Sequence, residues 1–241
     1  MKGRFLVIRR IVLVATIASV FAVITVATQA DDKPVEKRAD RFDLKVREDI
    51  FAGFTGDAER LENGVKLCDE TLAKNPKHAE ALVWRGAAWM FQSGAKFQAG
   101  KIGEGQTLWT TGQKDMDDAV KLEPENVGVR IPRASVMIPA SRQVPPAMGK
   151  PLLKIAAEDL ETIYRLQEKD FATLGKHPQG ELRMGLAEVY RRLGDSEKSV
   201  AQLEAILKEL PKTKYADRAT EWLAAKPTEN LAHNCIGCHT K

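Results

Sequence analysis

Between residues 182 and 211 the chain carries a pattern that few folds can accept. Leu182, Leu186, Ala187, Tyr190 and Leu193 recur at helical spacing, Gly194-Asp195 interrupts them, and Leu203, Ile206 and Leu207 resume the period before Pro211. Side chains three and four apart share one face of a helix, glycine supplies the turn, aspartate caps the next helix and proline stops it. Two short helices with one apolar stripe each can bury those stripes only against one another and against further helices. The neighbouring stretches must therefore be helical as well.

They read that way. Phe42, Val46, Ile50 and Phe54 mark one helix face, Gly56-Asp57 ends it, and Leu61, Val65, Cys68 and Leu72 form a second stripe that stops before Asn75-Pro76. Cys68 lies in that stripe and reads as a small buried hydrophobe rather than a reactive thiol. The stretch from Asn75 to Leu82, with Gly86 and Trp89 after it, and the closing Ala119-Val120-Lys121-Leu122-Glu123-Pro124 resemble the start and end of a tetratricopeptide repeat. The spacing between them exceeds that family's period by about two turns in each helix if Gly100-Lys101 is the turn. The hairpin would project roughly 10 Å, lined by Trp84, Trp89, Phe97 and Trp109. Gly103, Gly105 and Gly112 argue against an unbroken second helix there.

The following stretch departs from the pattern. Pro132 and Pro139 predict that residues 126–141 are helical only in short pieces, and Val144-Pro145-Pro146 with Gly149-Lys150-Pro151 predicts a surface loop suited to binding. Leu152, Ile155, Leu160, Ile163 and Leu166 resume a stripe to about Lys169, and Tyr215, Ala219, Trp222 and Leu223 predict a capping helix. The resemblance, specific at 182–211, implies an all-α chain: a tetratricopeptide-like (TPR-like) right-handed α-solenoid of about three helix pairs over 41–225, with a capping helix and a short C-terminal tail. It further implies a concave surface that binds a protein or peptide partner.

Only 6% of residues are aromatic, against a β-sandwich. Lys2, Arg4, Arg9 and Arg10 account for the whole formal net charge of +4. The rest is balanced, which argues against nucleic acid as a partner. Those four charges precede an uncharged run, Ile11 to Ala27, and the small-residue site Thr28-Gln29-Ala30. Residues 1–30 therefore read as a signal peptide or an uncleaved anchor, 31–40 as a charged linker and 226–241 as a tail. The expected location is periplasmic or otherwise exported, with membrane contact only through an uncleaved N-terminal segment.

The tail carries the site chemistry. Cys235-Ile236-Gly237-Cys238-His239 has the C-x-x-C-H spacing that attaches a c-type haem. Cys235 and Cys238 would form the thioethers, and His239 would be the proximal iron ligand. The stretch 234–240 looks like the opening of a class I cytochrome c, a family whose pocket and distal methionine lie downstream. In this sequence only Thr240 and Lys241 follow, so a second iron ligand is expected from upstream, with His78, His177 and His233 as candidates. Two alternatives stand beside haem: zinc on His233, Cys235, Cys238 and His239, and a disulfide between the tail cysteines. The pairs Asp117-Asp118 and Glu158-Asp159 read as solvated helix faces, and no hydrolase or transferase constellation is present, so an enzyme is not expected. The expectation is an exported interaction scaffold that bears haem c and serves a redox partner in electron transfer. The alternative is the same scaffold without haem.

Overall fold

The computed structural model describes residues 41–226, 229 and 231–233, all within the unit formed by residues 36–241. Among the described residues there are nine α-helices and no strand: α1 (Asp43–Phe54), α2 (Ala58–Lys74), α3 (Ala79–Gln98), α4 (Ile102–Leu122), α5 (Val127–Gln143), α6 (Pro146–Gln167), α7 (Lys176–Leu193), α8 (Ser196–Glu209) and α9 (Lys214–Ala224). A 3₁₀ segment, Glu168–Thr173, extends α6. Short connections force each helix back along its predecessor, which gives four hairpins and a last helix. The α1–α2 hairpin stands ahead of the three repeat-like pairs read in the sequence. No helix among the described residues is long and apolar enough to cross a membrane.

Local chemistry sets the ends. Asp57, Asn126, Asp195 and Thr213 each accept a main-chain N–H of the first turn they precede, at 2.7–3.2 Å. Gly194 closes α7 at φ +90, with its N–H on Arg191 O and that of Asp195 on Tyr190 O. A side chain would strain that left-handed turn. Gly100, at φ +73, makes the turn between α3 and α4 as expected.

The helices α3 and α4 run unbroken for 20 and 21 residues, despite the glycines of the second. The reason is contact. A Cβ on Gly86 would lie 2.5 Å from the Gly112 carbonyl oxygen, and one on Gly112 would lie 2.6 Å from that of Gly86. The two backbones touch, and α4 gains packing that offsets the helix-weakening effect of glycine. Gly105 likewise leaves room for the Phe97 ring, 2.7 Å from where its Cβ would be. Trp84 does not line the projecting part. It is 3% exposed and packs edge-on against Phe51 in the core between α1 and α3.

The middle of the chain is more regular than its prolines suggest. Rather than short pieces, α5 is one helix that contains both Pro132 and Pro139. What outweighs the two missing donors is a buried ionic cluster. Asp159 of α6, fully buried, accepts Arg130 Nη1 at 2.6 Å and both Arg133 Nε and Nη2 at 2.7 Å, while Arg133 Nη1 reaches Asp117 of α4 at 3.0 Å. Asp159 is therefore an ionic core residue and not part of a solvated face. The expected loop at 144–151 is also absent. Only Val144 and Pro145 separate the helices, Pro146 opens α6 where a missing N–H costs nothing, and Pro151 lies inside it. Gly149 sits against the Ser141 carbonyl oxygen, which lies 2.5 Å from where a Cβ would be, so the two helices cross closely at the turn.

One apolar core runs from α1 through the near face of α7, where Leu182, Leu186, Val189 and Tyr190 join it. A second gathers Met184 and Ala187 from the other face of α7 with Leu203, Ile206, Leu210, Ala219 and Trp222. Cys68 is buried in the first, and burial, reinforced by Asp69, pushes its thiol up to about 12.

Candidate functional site

The described residues closest in sequence to the C-x-x-C-H motif are Leu231, Ala232 and His233, and the helices hold them. The apolar periodicity of α7 puts Glu188 among buried neighbours, in the run Leu186-Ala187-Glu188-Val189-Tyr190, where its carboxylate is 0% exposed. A charge removed from water needs paired donors. Glu188 has them in Arg142 from the last turn of α5, which donates from Nε at 2.9 Å and from Nη2 at 2.6 and 2.7 Å, and in Arg192 one turn along α7 at 3.3 Å. Burial, followed by the field of Arg142, lowers the Arg192 guanidinium below its usual value, against the pull of Glu188. Arg192 also donates to Ser141 Oγ at 2.7 Å, which ties α7 to α5.

Residue 233 adds one donor and one acceptor to this ion pair. The His233 N–H donates to Glu188 Oε2 at 2.7 Å, and the His233 carbonyl accepts from Arg142 Nη2 at 2.9 Å. Both bonds are charge-assisted, a class worth about 1.5–3 kcal/mol each. The His233 ring is held as firmly. Its Nδ1 is 3.1 Å from Arg218 Nη1 on α9, and its Nε2 is 3.0 Å from Glu181 Oε2, two turns before Glu188 on α7. A guanidinium only donates, so Nδ1 accepts and the proton sits on Nε2, facing Glu181. Leu231 packs on the second core, as do Tyr215 and Leu223.

A polar chain leads outward from this point. Tyr215 OH donates to Glu181 Oε1 at 2.7 Å, and His177 Nδ1 lies 2.7 Å from the same hydroxyl. With the phenolic proton on Glu181, the hydroxyl accepts from His177. Gly180 makes this possible, since a Cβ there would lie 2.3 Å from the Tyr215 ring.

Of the residues singled out in the sequence, Cys235, Cys238 and His239 lie outside the described residues. Two of the three candidate second ligands, His177 and His233, share the cluster just described. Both ring nitrogens of His233 are engaged, so service to a metal would cost it Glu181 or Arg218. His78 belongs elsewhere: it caps α3, with Nδ1 accepting from Ala81 N–H at 3.2 Å and its ring 4.8 Å from Phe42. Among the described residues no group of three or more His, Cys, Asp or Glu side chains is placed to hold a metal ion. The sequence reading missed Glu181, Glu188, Arg142 and Arg218. One signal was present, a carboxylate inside an apolar run at 186–190.

No protein-family model matches the chain, and no curated protein matches it. A solved structure to which it is similar is that of a thermophilic TPR protein of Thermus thermophilus. The two are 19% identical, the alignment covers 77% of this chain and 100% of that one, and the TM-score is 0.37.

Proposed function

We propose that this chain is an exported helical-repeat scaffold that binds a protein partner and carries a covalent haem c on its tail, as a non-enzymatic accessory to electron transfer. The observation that carries the reading is the adjacency of motif and anchor: Cys235 begins the C-x-x-C-H sequence two residues beyond His233, which is held by main chain and side chain together. Two residues span at most about 7 Å, so a group on Cys235 stays near the faces of α5, α7 and α9 while residue 233 is docked. The donor set suits haem c, with two thiols for thioethers and an imidazole for iron. When bound, the haem supplies a one-electron couple. The chain's own contribution is to anchor the attachment segment and to limit how far it strays. The N-terminal leader, with its basic start and apolar run, supports export to a compartment where such attachment occurs.

The test is spectroscopic. Expressed in a host competent for cytochrome c maturation, the purified protein should keep a haem absorption spectrum after full denaturation, and Cys235→Ser with Cys238→Ser should abolish it. A colourless native protein from that host would overturn the haem reading and leave the scaffold reading in place.

A further inference from the structure

The contacts on residues 231–233 have the form of a peptide-binding site. Glu188 and Arg142 engage a main-chain N–H and C=O, groups that every non-proline residue offers, so this part of the site reads no side chain. Selectivity comes from two flanking features. One is the slot between Glu181 and Arg218, which takes a ring with an acceptor nitrogen on one side and an N–H on the other, as neutral imidazole has. The second is the apolar seat for Leu231 on the core formed by α7, α8 and α9. Together they describe a ligand: a non-helical segment with an apolar residue two positions before a histidine.

We infer that the face shared by α5, α7 and α9 is a docking site for segments of that chemistry, and that the chain's own Leu231-Ala232-His233 is the ligand that fills it. The tail therefore masks the site, and a partner segment with the same apolar-x-His pattern enters only by displacing it. The mask is strong because it is tethered. Six residues separate Leu231 from the end of α9 at Ala224, and a short tether gives an effective concentration of about millimolar. The inference rests on the docked segment and stands whether or not the tail carries haem.

The experiment uses the full chain. The probe is a fluorescein-labelled synthetic peptide of residues 226–241 carrying serine at both cysteine positions, followed by fluorescence anisotropy. The comparison is between the native chain and a full-length variant with Leu231→Ser and His233→Ser, whose thermal unfolding checks that the helices are intact. The variant should bind the probe at least about tenfold more tightly than the native chain, since its own tail then competes through its main chain alone. Adding Glu188→Gln to the variant should reduce that binding by a similar factor. Equal binding by native and variant chains, or no binding by an intact variant, would overturn the inference. Hydrogen exchange provides a second measurement independent of any variant: the His233 amide should be protected in the native chain, and free exchange of that amide would equally overturn the docking. Neither readout involves haem, so failure here is distinct from failure of the spectral test.

Discussion

Asp159 is where the fold is most exposed to a single substitution. Asp159→Ala removes the acceptor of three short bonds and leaves Arg130 and Arg133, 6% and 5% exposed, as buried cations. Removing one partner of a buried pair costs about 3–5 kcal/mol. Partial compensation remains. Arg133 keeps Asp117 at 3.0 Å, and Arg130 keeps the Pro124 carbonyl at 2.7 Å with the exposed Glu158 at 3.7 Å. The lower end therefore applies, about 3 kcal/mol, which lowers the melting temperature of a chain this size by about 6–12 °C. Urea unfolding followed by far-ultraviolet circular dichroism measures it. The same argument gives a control with the opposite result: replacing Arg130, Arg133 and Asp159 together by Met, Met and Leu should recover most of the loss, because no buried charge is then left unpaired and Asp117, which loses Arg133, is solvent-accessible. A loss below about 1 kcal/mol for Asp159→Ala would place the cluster with surface ion pairs and refute the claim that it holds α5 helical across its prolines.

Two glycines of α3 should respond with opposite signs. Gly86→Ala drives a Cβ into the Gly112 carbonyl at 2.5 Å and should destabilise the hairpin by about 1–3 kcal/mol, whereas Gly94→Ala meets nothing within 4 Å and should stabilise it by about 0.5–1 kcal/mol, both read by thermal melting. Cys68 predicts an alkaline limb. Its thiol titrates at about 12 in the fold against an ordinary 9.0, so between those values the native chain holds a proton that the unfolded chain has lost. Stability from this group is retained below the ordinary value and falls as pH rises through the window by about 1.4 kcal/mol per unit, a contribution that Cys68→Ala should remove in urea titrations between pH 9 and 10, below the range in which the Tyr190 phenol, also raised by burial, adds its own slope.

How much of this was legible in sequence depended on the range over which each structure is specified. The stops and starts were, because Asp57, Gly100, Gly194, Asp195 and Pro76 act on their own turn of chain. The α5 helix was not. Pro132 and Pro139 signal a break locally, and the reason there is none lies on α6, where Asp159 meets Arg130 and Arg133 across 29 and 26 residues. Gly112 was misread for a similar reason: its lack of a side chain weakens an isolated helix but permits the crossing with Gly86, a fact about α3. The tail site depended on the longest range of all. Arg142 binds the carbonyl of a residue 91 positions later, and nothing near Arg142 announces this. Glu188 was the readable part, since a carboxylate among Leu186, Ala187, Val189 and Tyr190 has to be neutralised by something.

The tail bonds also decide where a pull on the C-terminal segment enters the scaffold. Tension applied at Cys235 reaches residue 233 before it reaches the end of α9, and there it divides among Glu188 and Glu181 on α7, Arg142 on α5 and Arg218 on α9. Three of those four side chains lie on α5 and α7, so most of the load passes to helices of the larger core rather than through α9 alone. While residue 233 stays docked, α9 is largely shielded from peeling although it is the last of the described helices. Once the dock opens, the same force shifts to the far end of α9, and the outermost layer becomes the weakest point.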